Sequence, residues 1–141
     1  MTIEIDQKSK RVIVKLLNSG KTVPSNMRKG LFFVGKKLKS TASKNILKKK
    51  NGRTYKYKKR RRKASQPGES WANRSGTARK GIVYKVASSS KLRFGNTVDY
   101  AEFLEFGTRK MEARPAHLIA IEENEQNIVE ILESHIDSSF K

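Results

Sequence analysis

The stretch Tyr100-Ala101-Glu102-Phe103-Leu104-Glu105-Phe106-Gly107-Thr108-Arg109-Lys110-Met111-Glu112-Ala113-Arg114-Pro115 decides how the chain is read. Its first part, from Asp99 to Phe106, reads as a short helix stopped by Gly107, which can leave a helix with positive φ. Thr108 is placed to hydrogen-bond back onto that turn. Tyr100, Phe103, Leu104 and Phe106 are expected to form a compact apolar cluster between a sheet and the last helix. Pro115 suits a first helical turn, where its missing N–H would be unbonded anyway. These are fold-determining roles.

Downstream, Leu118, Ile121, Ile128, Leu132 and Ile136 define one face of a helix over roughly 115–138. Glu122, Glu123 and Glu125 lie toward its positive end. Upstream, Gly81-Ile82-Val83-Tyr84-Lys85-Val86 reads as a strand with Ile82, Tyr84 and Val86 on one face. Ser88-Ser89-Ser90 is a turn, and Leu92 with Phe94 alternates in a second strand that Gly95-Asn96 ends, giving an antiparallel hairpin. Earlier still, Met27, Leu31, Val34, Leu38, Ala42 and Ile46 recur at helical spacing with lysines opposite. This predicts a helix over roughly 25–48, with Ser25 and Asn26 after Pro24 as its capping start. Residues 2–18 alternate at Ile3 and Ile5 and run on through Val12, Ile13, Val14, Leu16 and Leu17, a strand whose second part reads equally as a short helix. Asn18-Ser19-Gly20 ends that element. The expected fold is α+β: a long N-terminal helix, a small antiparallel sheet, a C-terminal helix packed on the sheet, and a long basic loop. At 141 residues, a single domain over 1–141 is expected.

Charge is the loudest compositional signal. Lys and Arg number 32 against 13 acids, a net +19. Such a field attracts polyanions without reading sequence, through neutralised phosphates and released counterions. It is unevenly placed: from Asp99 onward ten acids face four bases, so residues 1–98 carry 28 − 3 = +25. A basic body with an acidic end fits either head-to-tail self-association or two ends folded against each other. There is no cysteine, which excludes disulfides and suits a reducing cytoplasm. No apolar run approaches the ~20 residues of a membrane span, and no signal-peptide stretch opens the chain, so a soluble cytosolic protein without membrane association is expected.

The bases concentrate in residues 48–63. Arg53, Lys56, Lys58, Lys59, Arg60, Arg61, Arg62 and Lys63 are the candidate phosphate contacts, with Tyr55 and Tyr57 able to stack on bases of a single strand. Asn51-Gly52 is a turn signal and Thr54, Tyr55 and Tyr57 can start a strand. Residues 48–70 therefore read as a flexible basic loop or extended hairpin, since like charges at this density repel. Nothing in it resembles a base-reading helix, so binding should be independent of sequence.

Catalytic signatures are scarce. His117 and His135 lie eighteen residues apart in the last helix and read as helix-surface histidines. Glu102 and Glu105, three apart, are spaced to face the same way as a carboxylate pair, but no nucleophile or metal ligand accompanies them. No enzymatic activity, cofactor or metal is expected.

Two segments resemble one family, the tail-completion, neck or head–tail joining proteins of long-tailed bacteriophages. The 100–115 stretch is similar to that family's pattern of Tyr-Ala, a Glu-aromatic-Gly-Thr turn, then Met and Ala-Arg-Pro; here Tyr100, Glu105, Phe106, Gly107, Thr108, Arg114 and Pro115 carry it. Pro67, Gly68 and Glu69, followed by Ala72, Arg74, Gly76 and Ile82, resemble the family's Pro-Gly-Glu loop leading through a turn into a strand. Trp71, Ala78 and Ala116 depart from the pattern, where a second proline, a large aliphatic and a phenylalanine are usual. The resemblance covers most of residues 23–138. It implies a virion structural protein, made in the host cytoplasm, that completes the tail or joins it to the DNA-filled head. Its implied partners are copies of itself in a ring, other neck and tail proteins, and genomic DNA in the channel. The rival reading, from charge alone, is a stand-alone sequence-independent nucleic-acid-binding protein.

Overall fold

The computed structural model describes residues 2–4 and 22–139. The apolar run from Val12 to Leu17 and the turn at Asn18-Ser19-Gly20 lie outside the described residues. In chain order the elements are β1 (Thr2–Glu4), α1 (Thr22–Leu47), β2 (Thr54–Tyr57), β3 (Arg60–Lys63), α2 (Thr77–Lys80), β4 (Ile82–Ser88), β5 (Lys91–Asn96), α3 (Ala101–Phe106), α4 (His117–Glu123) and α5 (Glu125–Asp137). One antiparallel sheet has the order β1-β5-β4 and the other pairs β2 with β3. The expected α+β class, with its long N-terminal helix, small antiparallel sheets and C-terminal helices, is the fold observed.

Helix α1 is buried along the predicted face. Met27, Leu31, Val34, Leu38, Ala42 and Ile46 are all enclosed, and Val23 extends the row one turn earlier. The helix also starts earlier than predicted. Pro24 sits in its first turn, where a missing N–H costs nothing. Ser25 and Asn26 are therefore inside the helix and do not begin it, and the Asn26 amide donates to Ser139 Oγ at 2.8 Å.

The chain groups into two compact units. The first takes the described parts of Met1–Leu38, Tyr84–Gly95 and Asn124–Lys141. Its core joins Val23, Met27, Leu31, Val34 and Leu38 of α1 to Leu92 and Phe94 of β5 and Leu132 and Ile136 of α5. Alternation along β5 buries Leu92 and Phe94 and exposes Arg93, as period-two patterning requires. Strand β1 pairs with β5, Ile3 opposite Leu92. A Cβ built on Gly35 would overlap the Tyr84 ring, so only glycine lets the helix approach β4 this closely. The Phe32 ring meets Tyr84 edge-on at 5.7 Å, and Phe33 lies 5.3 Å from the His135 ring.

The second unit takes Lys39–Val83 and Asn96–Glu123. Ala42, Ile46, Trp71, Ala78, Ile82, Ala101, Ala116 and Ala120 are buried in it. Two predictions fail here. The last helix is not continuous over 115–138: it begins at His117 and breaks at Asn124, whose φ of −114° and ψ of 10° leave helical geometry. Asparagine competes for backbone hydrogen bonds in a helix interior and serves better at a helix start; here the Asn124 carbonyl accepts the Ile128 N–H to open α5. The break shifts the phase of the apolar stripe, so Leu118 is exposed while Ala116, His117 and Ala120 are buried.

The second failure concerns α3. Tyr100, Phe103 and Phe106 are 46%, 56% and 68% exposed, not clustered under the sheet, and the buried side of the helix is Ala101 and Glu105. A carboxylate takes the inward position because three amide donors await it there.

Candidate nucleic-acid interface

The basic tract folds as a hairpin. Its strands pair Thr54 with Lys63, Tyr55 with Arg62, Lys56 with Arg61 and Tyr57 with Arg60. The strand expected from Thr54, Tyr55 and Tyr57 is β2, and the reversal after it falls at Lys58-Lys59, where Lys58 takes a positive φ of 54°. Gly52 and Arg53 extend the ladder, exchanging backbone bonds with Ala64. Arg53, Lys56, Lys58, Lys59, Arg60, Arg61 and Lys63 are exposed. Arg62 differs: its guanidinium donates to the carbonyls of Asn73 and Arg74, both at 2.9 Å, and ties the hairpin to the following loop. The Tyr57 ring is ringed by cations, with Arg74 4.4 Å, Arg62 5.6 Å and Lys58 5.8 Å from its centroid.

The Pro67-Gly68-Glu69 segment is a tight turn closed by the Glu69 N–H to the Gln66 carbonyl. The Glu69 carboxylate accepts from the Gln66 N–H at 2.8 Å and from the Asn51 side-chain amide at 2.7 Å. The Gln66 amide, with those of Asn51, holds its carboxyl below the usual range. Gly76, with φ 86°, precedes α2.

In the 100–115 stretch, Gly107 has φ 77°, and a Cβ there would lie 2.7 Å from the Met111 carbonyl oxygen. Both conformation and space exclude a side chain. The Thr108 side chain bonds forward and not back onto the Gly107 turn: its Oγ1 accepts the Lys110 N–H at 3.2 Å. The Arg114 N–H donates to the Leu104 carbonyl at 2.8 Å, which brings Pro115 and the start of α4 beside α3.

That placement lets Glu105 cap a helix from outside it. Its oxygens accept from the amides of Ala116 at 3.0 Å, His117 at 3.0 Å and Leu118 at 2.9 Å, three of the donors a helix start leaves unbonded. His117 Nδ1 stands 3.0 Å from Glu105 Oε2. Burial pushes the Glu105 carboxyl up, but the His117 ring and the amides of Leu118 and Ala116 outweigh it and hold the group below its ordinary value. His117 is therefore a buried partner, 5.4 Å from the Trp71 ring, and not a surface histidine. Glu102 is exposed, so the two carboxylates do not face the same way.

Sequence reasoning missed two arrangements. Lys50 is buried at the end of α1, where its ammonium donates to the Asn45 carbonyl at 2.8 Å and to Ser70 Oγ at 2.6 Å. Ser70 Oγ donates to the same carbonyl, also at 2.8 Å. Desolvation lowers the lysine's pKa, and the charge of Glu69 opposes that shift. Both donors serve one helix-terminal carbonyl, so this serine and lysine close a helix.

The other is a cleft of about 590 Å³ walled by Tyr55, Arg74, Arg79, Tyr100 and Arg114, with Trp71 beneath. No Asp or Glu is among its described lining residues. Trp71 Nε1, Arg79 Nε and Arg114 Nε are buried without a hydrogen-bond partner among the described residues. No local motif could have revealed the cleft, because its walls come from positions spread over residues 55–114.

Among the described residues no helix is long and apolar enough to cross a membrane. No protein-family model, curated protein or solved structure matches this chain.

Proposed function

We propose that the chain is a structural subunit of the neck or tail end of a long-tailed bacteriophage. In this reading it completes the tail or joins it to the DNA-filled head, as one copy in a ring around the DNA channel. The observation that carries the reading is the two-sided character of the 100–115 stretch that bears the family resemblance. Its inner side is filled by its own fold, through Glu105, Gly107 and the Arg114–Leu104 backbone bond. Its outer side presents Phe103 and Phe106 to solvent. Exposed aromatics grouped on one short helix suit a contact with a neighbouring subunit, since interface cores are enriched in such residues. The exposed cations of the hairpin then face the genome's phosphates.

Electron microscopy of particles made without this protein tests the reading. Separate full heads and tails, or defective tail ends, are expected. Normal infectious particles would overturn it. A second reading, a stand-alone sequence-independent nucleic-acid-binding protein, is favoured by the seven exposed bases of the hairpin tract. It requires tight DNA binding by the monomer and no place in the virion.

A further inference from the structure

The cleft between the hairpin and the 100–115 stretch combines two chemistries, arginine and aromatic side chains, with no Asp or Glu among its described lining residues. Arg79 and Arg114 line it, each with its Nε enclosed and without a partner among the described residues, and Arg74 is a third cation in the lining. Clustered cations in a partly enclosed site repel one another and lose hydration, and an anion relieves both effects. The remaining walls are aromatic: Tyr55, the half-exposed ring of Tyr100, and Trp71 beneath. Inorganic phosphate would use the arginines alone, and an acidic peptide would have no need of the rings. The volume falls in the range that holds one small ligand.

From these features we infer that the cleft is a binding site for one nucleotide of a single-stranded nucleic acid. Its backbone phosphate is held by Arg79 and Arg114, and its base lies against Tyr100 and Tyr55. Stacking of this kind tolerates any base, because every base has a π-face. The exposed cations of the hairpin belong to the same unit and supply phosphate contacts for flanking nucleotides. A duplex can use the hairpin but cannot offer an unstacked base to the cleft. This site goes beyond the assembly reading and stands or falls separately from it.

The test uses the full chain, with labelled oligothymidylate of about 12 nucleotides and a duplex of equal length. Trp71 is the only tryptophan, so its fluorescence reports directly on the cleft floor. Oligothymidylate should quench it, and the duplex should not. Tyr100→Ala should weaken single-strand binding about tenfold and leave duplex affinity within about twofold. Arg79→Gln should give the same pattern, and Tyr100→Phe should retain wild-type binding. A thermal melt checks that each variant is folded; if Tyr100→Ala is not, wild-type quenching and Arg79→Gln decide. Equal losses for both DNAs, or no quenching, overturn the inference. Displacement of oligothymidylate by polyglutamate at matched charge also overturns it, in favour of an acidic protein segment.

Discussion

Glu105 Oε2 stands 3.0 Å from His117 Nδ1, and the same carboxylate accepts from three successive amides at the entry to α4. One buried side chain thus supplies what a helix normally obtains from its own N-cap. The negative charge also sits at the positive end of the helix, where it is favoured. The glutamate of the Glu-aromatic-Gly-Thr turn is consequently an organiser of the stretch that follows it.

Replacing Glu105 with Ala should leave these buried amides unanswered and cost on the order of 3 kcal/mol in urea unfolding. The contribution also depends on pH with a definite sign. The folded-state pKa of Glu105 lies below its ordinary 4.5, so the unfolded chain binds this proton more readily. The stabilisation is complete above about pH 4.5 and is lost as pH falls through the lower folded value. Glu105→Gln should therefore differ most from wild type near neutrality and converge on it in acid. A constant gap across an acid series of thermal melts would contradict this account.

Gly35 offers a test that turns on direction. In an unobstructed helix Gly→Ala stabilises by about 1 kcal/mol. Here the new Cβ would lie 2.7 Å from Tyr84 Cγ, near the root of a ring that cannot swing away freely. Gly35→Ala should destabilise by about 1–3 kcal/mol. In a Tyr84→Ala background the obstruction is gone, and the same substitution should stabilise. Chemical unfolding of the four proteins in the cycle measures the change of sign.

What was legible in the sequence follows the length of each pattern. Helix α1 repeats its apolar spacing from Met27 to Ile46, long enough for periodicity to fix the buried face. Strands β4 and β5 show the same for period two, with Ile82, Leu92 and Phe94 enclosed. Helix α3 has six residues, too few for a face to be read, and its aromatics suggested the wrong one. The inward side was decided by amides eleven to thirteen positions downstream, which no local pattern records. Asn124 breaks the last helix with a residue that many helices tolerate. The eight bases of the hairpin were evident as a group, but only the fold separates Arg62, bound to two carbonyls, from its exposed neighbours.

Lys50 and Ser70 share the Asn45 carbonyl, and the two substitutions there should differ. Lys50→Met removes a buried ammonium and still leaves Asn45 a donor in Ser70. The desolvation recovered should offset the lost hydrogen bonds, keeping the variant within about 1 kcal/mol of wild type. Ser70→Ala leaves the charge in place with one acceptor fewer, and should cost about 1–3 kcal/mol. Urea unfolding at neutral pH distinguishes them. A larger loss for Lys50→Met than for Ser70→Ala would show that the ammonium, not the hydroxyl, holds the helix end.

Arg61 and Arg62 are adjacent in sequence and opposed in role. Arg61, paired with Lys56 across the ladder, is exposed and free to meet phosphate. Arg62 points to the other face and is held by the Asn73 and Arg74 carbonyls. Arg61→Gln should lower the slope of log affinity against log salt for duplex DNA by about 0.9, the value of one phosphate contact. It should leave the melting temperature unchanged, because an exposed arginine contributes little to stability. Arg62→Gln should free the hairpin from its loop, which limited trypsin digestion would report as faster cleavage within residues 53–63. Its salt slope should change less than that of Arg61→Gln. Identical slopes and identical digestion rates for the two variants would mean that the hairpin is not anchored through Arg62.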